Sequence, residues 1–303
     1  MLYTRTTVVL ILGCLCVLPA RAQQDSCHQR VIPASVFSKD GAAVPPLSNA
    51  NFEATYKRKP VRVRVVSPEQ TPFRIVILLD TSGSMRETQG GTLDTAEYLL
   101  SRMPPNADVG LAFFAKDLVR VALPTSDRET LEYQLKGLRA HPTSYRGKTA
   151  LWDALGNSVG MFSHPQLGDV VFLITDGVDT QSEARPENVI QLLAAAGIRL
   201  FAVQVAGLDL KNFGMTREHM SLFQGEISQV AEATGGYVIK SVSPDRVSLD
   251  KKFSAIVSFY RIELDLPEAV DKPREWKLNL VGFAKSQRDN LVLTYTQMLV
   301  PCY

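Results

Sequence analysis

Residues 76–85 read VILLDTSGSM. With Ile75 before them, five apolar residues run without a break up to Asp80. Such a run suits a strand covered on both faces, because each successive side chain then meets a dry surface. A carboxylate at the tip of a buried strand is costly unless something pairs with it. Asp80 is followed by Thr81, Ser82 and Ser84, with Gly83 between the serines. Gly83 lets the backbone turn sharply there, so two hydroxyls at alternate positions can face one point.

The same pattern recurs at 170–180, VVFLITDGVDT, where a second apolar run closes on Asp176. Helical spacing is read at 93–103, stopped by Pro104-Pro105, and at 129–138, 150–162, 186–196, 220–233 and 246–258. Pro186 opens the fourth of these and Gly197 lies just past its end; Gly235-Gly236 closes the fifth. Further strands are read at 109–114, 118–123, 200–205 and 237–240. Only Ala115-Lys116-Asp117 joins the first two, so they should form a tight antiparallel hairpin. Strands alternating with helices over 72–258 predict an α/β fold. It should be a doubly wound, mostly parallel six-stranded sheet with one antiparallel edge strand. In such sheets ligands bind beyond the carboxyl ends of the strands. Asp80 and Asp176 then share the rim that matters. With Ser82 and Ser84 they form an all-oxygen set suited to a hard cation such as Mg²⁺. Met85 is expected to pack under the loop.

On either side the composition changes. Residues 23–71 carry extended stretches at 31–37, 51–56 and 61–66, broken by Asp40-Gly41, Pro45-Pro46 and Pro60. Residues 259–303 show β-type alternation at 259–266, 276–283 and 291–299. Residues 1–5 form a short basic lead, 6–18 are almost wholly apolar, and Ala20-Arg21-Ala22 places small residues where a signal peptidase reads. A signal peptide over 1–22, cleaved after Ala22, is expected, with a secreted or periplasmic product; an uncleaved anchor is the alternative. No later run is long enough to span a bilayer. The formal net charge is +2, with no long basic run, which argues against nucleic acid as a partner. Of four cysteines, Cys14 and Cys16 lie in the leader. Cys27 and Cys302 remain, one near each end, and in an oxidising compartment two such residues are expected to pair. Two free thiols are the alternative.

Asp80-Thr81-Ser82-Gly83-Ser84 resembles the Asp-x-Ser-x-Ser signature of von Willebrand factor type A domains. That family carries a metal-ion-dependent adhesion site. Two further elements match it in order: Thr149 in GKTALWDAL and Asp176 in FLITDGVDT. The resemblance spans about 72–245. It implies that Ser82 and Ser84 bind Mg²⁺ (or Mn²⁺ or Ca²⁺) directly. Thr149 would bind directly or through water, and Asp80 and Asp176 mostly through water. It also implies a protein partner that offers an Asp or Glu to the metal. The flanks, including VFSKDGAAVPPLSNANFEATYKRKPVRVRVV, are similar to those of a secreted bacterial group with this domain, often described as acidobacterial. The two β flanks are then read as halves of one β-sandwich with the α/β region inserted between them.

Partner contact is expected from Arg86 beside the site and from His141 and Tyr145 on the loop before Thr149, although loop histidines and tyrosines ordinarily only pack or face solvent. Trp152 is expected in the core, His164 on the opposite rim, and Asp179 as a helix cap. Together these readings imply an exported, non-enzymatic binding or adhesion protein. The alternatives are a metal-assisted hydrolase or phosphatase, or a structural subunit of a larger envelope assembly. A phosphatase of the haloacid-dehalogenase type needs a second Asp where Ser82 stands, and a serine hydrolase needs a Gly-x-Ser-x-Gly elbow that is absent here.

Overall fold

The computed structural model describes residues 27–40, 42, 44–66, 74–141, 147–205, 217–241 and 246–302. In chain order the strands are β1 (Gln29–Ser38), β2 (Phe52–Tyr56), β3 (Lys59–Val66), β4 (Arg74–Asp80), β5 (Asp108–Phe114), β6 (Leu118–Thr125), β7 (Val170–Thr175), β8 (Arg199–Val205), β9 (Val238–Ser241), β10 (Tyr260–Asp265), β11 (Arg274–Leu280), β12 (Leu291–Tyr295) and β13 (Met298–Leu299). The helices are α1 (Gln89–Arg102), α2 (Arg128–Ala140), α3 (Leu151–Ser158), α4 (Pro186–Ala196), α5 (Arg217–Ala233), α6 (Arg246–Val257) and α7 (Lys285–Asn290).

The inner sheet has the order β6-β5-β4-β7-β8-β9. All its pairs are parallel except the β5–β6 hairpin. This is the doubly wound α/β arrangement expected from the sequence. Period-two alternation sends Ile75, Ile77 and Leu79 to one face, against α1, α2 and α6. Val76 and Leu78 go to the other face, against α3, α4 and α5. Both faces are covered, so β4 and β7 can be apolar at every interior position. Strand order reverses between β4 and β7, where Leu79 pairs with Ile174 and the two strand ends lie level.

The flanks meet in one seven-stranded antiparallel sheet, order β12-β1-β10-β3-β2-β11-β13. The sequence suggested a two-layered sandwich. Instead the sheet curls, and its inward residues, among them Tyr56, Ile262, Leu264, Trp276 and Leu278, fill a separate core. The α/β unit leaves from β3 and returns on β10. Val66 pairs with Arg261, so exit and re-entry lie on neighbouring strands. That closeness lets one sheet carry an inserted unit without strain on its ladder.

The expected strand at 291–299 is broken at Thr296 and Gln297, and the expected turn after 283 contains the short helix α7. At the break, Gln297 N donates to Ala233 O and Thr296 Oγ1 to Thr234 O, so the strand docks on the end of α5. Arg199, the first residue of β8, also joins the two sheets. Its guanidinium is fully buried and donates to Ser35 Oγ on β1 (2.9 Å), to the Ala255 and Ile256 carbonyls ending α6 (2.8 Å each) and to Gly168 O (3.1 Å). The last carbonyls of a helix lack intrahelical partners and take such a cation readily. Burial pushes the Arg199 pKa down to about 9, which leaves it charged at neutral pH.

Candidate metal centre

The centre lies at the carboxyl ends of β4 and β7, where strand order reverses. Asp80 is 0 % exposed and Asp176 2 %. Asp80 Oδ1 accepts from Ser82 N (2.9 Å), which fixes the start of the loop. Asp80 Oδ2 accepts from Thr175 Oγ1 (2.6 Å), the last residue of β7. Ser82 Oγ and Ser84 Oγ lie 3.1 Å apart. The Ser84 hydroxyl bonds the Asp176 carboxylate, whose Oδ1 also accepts from Val178 N (3.0 Å). Four of the five residues are thus linked by a continuous chain of polar contacts. Residues 83–85 form a single 3-10 turn, and Met85 under it is wholly buried, as expected.

Thr149, 3 % exposed, is brought in by its backbone. Gly83 N donates to Gly147 O (3.2 Å), and Ala150 N to Ala115 O (2.8 Å). Thr149 N donates to Thr180 Oγ1 (3.0 Å), while Thr149 O accepts from Thr180 N and Gln181 N. Asp179 caps a helix, as its position suggested, but the helix is α3 rather than the one that follows it. Its Oδ1 accepts from Leu151 N (2.8 Å) and from Ser182 Oγ. Ser182 Oγ in turn accepts from Trp152 N, and Asp153 accepts from the Glu183 and Ala184 amides. The loop after β7 therefore clamps the start of the helix that carries Thr149. Gly177, at φ +91°, turns this loop; a Cβ there would lie 2.4 Å from Gln204 Nε2.

Two carboxylates so close and so dry cannot both ionise cheaply. Burial, and then the charge of Asp176, push the Asp80 pKa up to about 7. Burial raises Asp176 as well, against the Ser84 hydroxyl and the Val178 amide. No lysine or arginine among the described residues acts on either carboxylate. A divalent cation would supply the missing positive charge, and the donors, two carboxylates and hydroxyls, are the hard oxygen ligands it takes. The residues fit the ion. Among the described residues no group of three or more His, Cys, Asp or Glu is placed to hold a metal.

Of the expected partner-contact residues, Arg86 is exposed directly after the 3-10 turn. His141 is exposed and ends α2, its amide bonded to Leu138 O. Among the described residues no hydrogen bond joins it to the centre. Tyr145 lies outside the described residues. His164 sits on the opposite rim, its carbonyl accepting from Arg74 at the start of β4, and Trp152 is in the core. Thr175, Thr180 and Gln204 were not singled out by sequence. Thr175 and Gln204 are polar residues within apolar runs, which was the available signal; Thr180, in a polar loop, carried none.

The von Willebrand factor type A domain family matches residues 75–229, just over half of the 303-residue chain. The match stops short of both β flanks, which carried the resemblance to the secreted bacterial group. No curated protein matches the chain in sequence. Similar solved structures include an aerotolerance-related membrane protein from Bacteroides fragilis, at 20 % identity over 60 % of this chain and 96 % of that one, TM-score 0.44. A conserved hypothetical protein, BatB, from Bacteroides thetaiotaomicron aligns at 20 % identity over 61 % and 98 %, TM-score 0.46. A von Willebrand factor type A protein from Catenulispora acidiphila aligns at 12 % identity over 89 % and 72 %, TM-score 0.49. On the extent of the family match, and with the fold and motif order that accompany it, the chain belongs to the von Willebrand factor type A domain family.

Proposed function

We propose that this chain is an exported, non-enzymatic binding protein that holds a protein partner through a divalent cation at Asp80, Ser82, Ser84, Thr149 and Asp176. Domains of this family are generally protein-interaction modules. The observation that carries the reading is the pair of buried carboxylates at the switch point, with Asp80 pushed up to about 7 and no basic side chain among the described residues to offset them. When bound, Mg²⁺, or Mn²⁺ or Ca²⁺, supplies an electrophilic centre with a position open to a partner's carboxylate. Ser82 and Ser84 present their hydroxyls from one tight turn. Thr175 and the Ser82 amide hold Asp80 in one orientation. Thr149 is positioned by the clamped start of α3. Among the described residues no histidine side chain bonds to the centre: His141 ends α2, and His164 lies at the other end of the sheet. That supports binding over hydrolysis. Export rests on the leader at 1–22 read from the sequence. Among the described residues no helix is long and apolar enough to cross a membrane.

The test is thermal unfolding with EDTA, Mg²⁺, Mn²⁺ and Ca²⁺, on the wild type and on Ser84→Ala. A cation that binds only the folded state adds about 2.7 kcal/mol at a hundred times its dissociation constant. A rise with cation that disappears in Ser84→Ala supports the reading. No rise with any cation at several millimolar overturns it.

A further inference from the structure

Residues 27–32 and 298–302 meet at the seam of the curled outer sheet. β1 pairs with β12 only through residues 34–38. Its first half pairs with β10 alone, and β13 pairs only with β11. The two free edges, 29–32 and 298–300, face each other across a cleft of about 280 Å³, with the last turn of α4 behind it. Strand pairing therefore leaves the curl unclosed there. One side chain crosses the cleft: Arg30 Nη2 donates to the Val300 carbonyl. Its Nε is buried without a hydrogen-bond partner. Just outside this bond, before β1 and after β13, stand Cys27 and Cys302. Both are half-buried and their sulfurs are not joined. The two thiols are nevertheless in hydrogen-bond contact, and the Arg30 charge acts on Cys302.

We propose that Cys27 and Cys302 form an intramolecular disulfide that closes this seam, and that the covalent bond, rather than strand pairing, holds the two edges of the outer sheet together. Both cysteines stand just outside the Arg30–Val300 bond and their thiols are in contact, so the two sulfurs lie within reach of each other, as a bridge requires. The oxidant is a disulfide, either of a dithiol oxidase or of a small thiol. One cysteine thiolate attacks it, forming a mixed disulfide and expelling one thiol. The second thiolate attacks the cysteine sulfur of that mixed disulfide and expels the other thiol. One S–S bond forms and one breaks. Two electrons pass to the oxidant, and the two cysteine protons end on the expelled thiols. The closed loop spans the whole α/β unit, because that unit is inserted between β3 and β10. A cross-link over so long a loop restricts the unfolded chain strongly.

The test uses the full chain with Cys14→Ser and Cys16→Ser, equilibrated in oxidised and reduced glutathione, alkylated and peptide-mapped. The expected result is a single linked species joining the Cys27 and Cys302 peptides at monomer mass, the two free thiols vanishing together. The oxidised protein should unfold several degrees above the reduced one, and a Cys302→Ser chain should lose that redox dependence. Separate glutathione adducts on the two cysteines, linkage between chains, or equal unfolding temperatures in the two redox states would overturn the proposal. The map needs only native cysteines at 27 and 302, so it stands even if Cys302→Ser folds poorly.

Discussion

Thr175 Oγ1 donates to Asp80 Oδ2 at 2.6 Å, so the last residue of one central strand orients the carboxylate that ends its neighbour. The bond spans the point at which strand order reverses. A hydrogen bond to a charged group is worth about 1.5–3 kcal/mol. Thr175→Val keeps the branched shape but removes the donor. Divalent-cation affinity, read by calorimetric titration, should fall about tenfold or more, in line with the loss of an orienting partner behind a ligand. The fold should persist, because valine suits a buried strand. Unchanged affinity would mean that the Ser82 amide alone fixes Asp80.

Without cation, Asp80 makes stability depend on pH. In the unfolded chain it ionises near 3.8, and in the folded chain it keeps its proton up to about 7. Between those values folding takes up a proton, so stability falls as pH rises and the full penalty is present above about 7. In EDTA, the unfolding temperature of the wild type should drop from pH 5 to pH 8 more steeply than that of Asp80→Asn, which has nothing to ionise there. The difference should be on the order of a few kcal/mol. Saturating cation should remove it. Parallel profiles for the two proteins would mean that Asp80 is solvated in the folded state.

The α/β unit was legible because its two periodicities are unmixed. Ile75 to Leu79 is apolar throughout, and the helices alternate with such runs. The centre was legible for the same reason: Asp80 and Asp176 interrupt strands that have no other use for charge. What stayed hidden depends on distant contacts. Asp179 reads as a local cap, yet it reaches Leu151, 28 positions away. Lys285–Asn290 is polar on every side, so it shows no helical stripe. α1 begins at Gln89, ahead of two glycines that mask its first turn. The β-type pattern at 291–299 is marred in sequence only at Gln297, which falls on the register of Leu291, Leu293 and Tyr295, and docking on α5 interrupts the strand there.

Arg199 tests how the two sheets are held. Arg199→Met keeps bulk but strips the Gly168 and Ile256 carbonyls of their donor. Each buried acceptor left unpaired costs about 1–3 kcal/mol. Ser35 Oγ still donates to Ala255 O, so that carbonyl stays paired. Against the loss stands relief from burying a guanidinium, which can offset much of it. Two orphaned carbonyls outweigh that relief here, because the guanidinium is already solvated by four oxygens. The urea midpoint should fall. Arg199→Lys should also fall, since one ammonium cannot replace both Nη1, which serves Ser35 and Ala255, and Nη2, which serves Gly168 and Ile256. An unchanged midpoint in Arg199→Met would show that desolvation and hydrogen bonding cancel.

Gly235 and Gly236 separate the two halves of the molecule in a single experiment. A Cβ on Gly236 would lie 1.8 Å from Leu200 O, inside the inner sheet. A Cβ on Gly235, held at φ +88°, would meet Thr296 N at 2.8 Å and the Tyr295 carbonyl carbon at 2.9 Å, where the outer sheet docks. Both obstacles are backbone, so neither can swing aside. Gly236→Ala must displace β8 and should destabilise the α/β unit by several kcal/mol, well beyond the usual cost of a helix-end alanine. Gly235→Ala should instead push β12 and β13 off the end of α5. Hydrogen exchange distinguishes the two. In Gly235→Ala the Gln297 amide, bonded to Ala233 O, should lose protection while Val76 to Leu79 keep theirs. Loss of protection in β4 as well would mean that the outer sheet and the inserted unit unfold as one cooperative body.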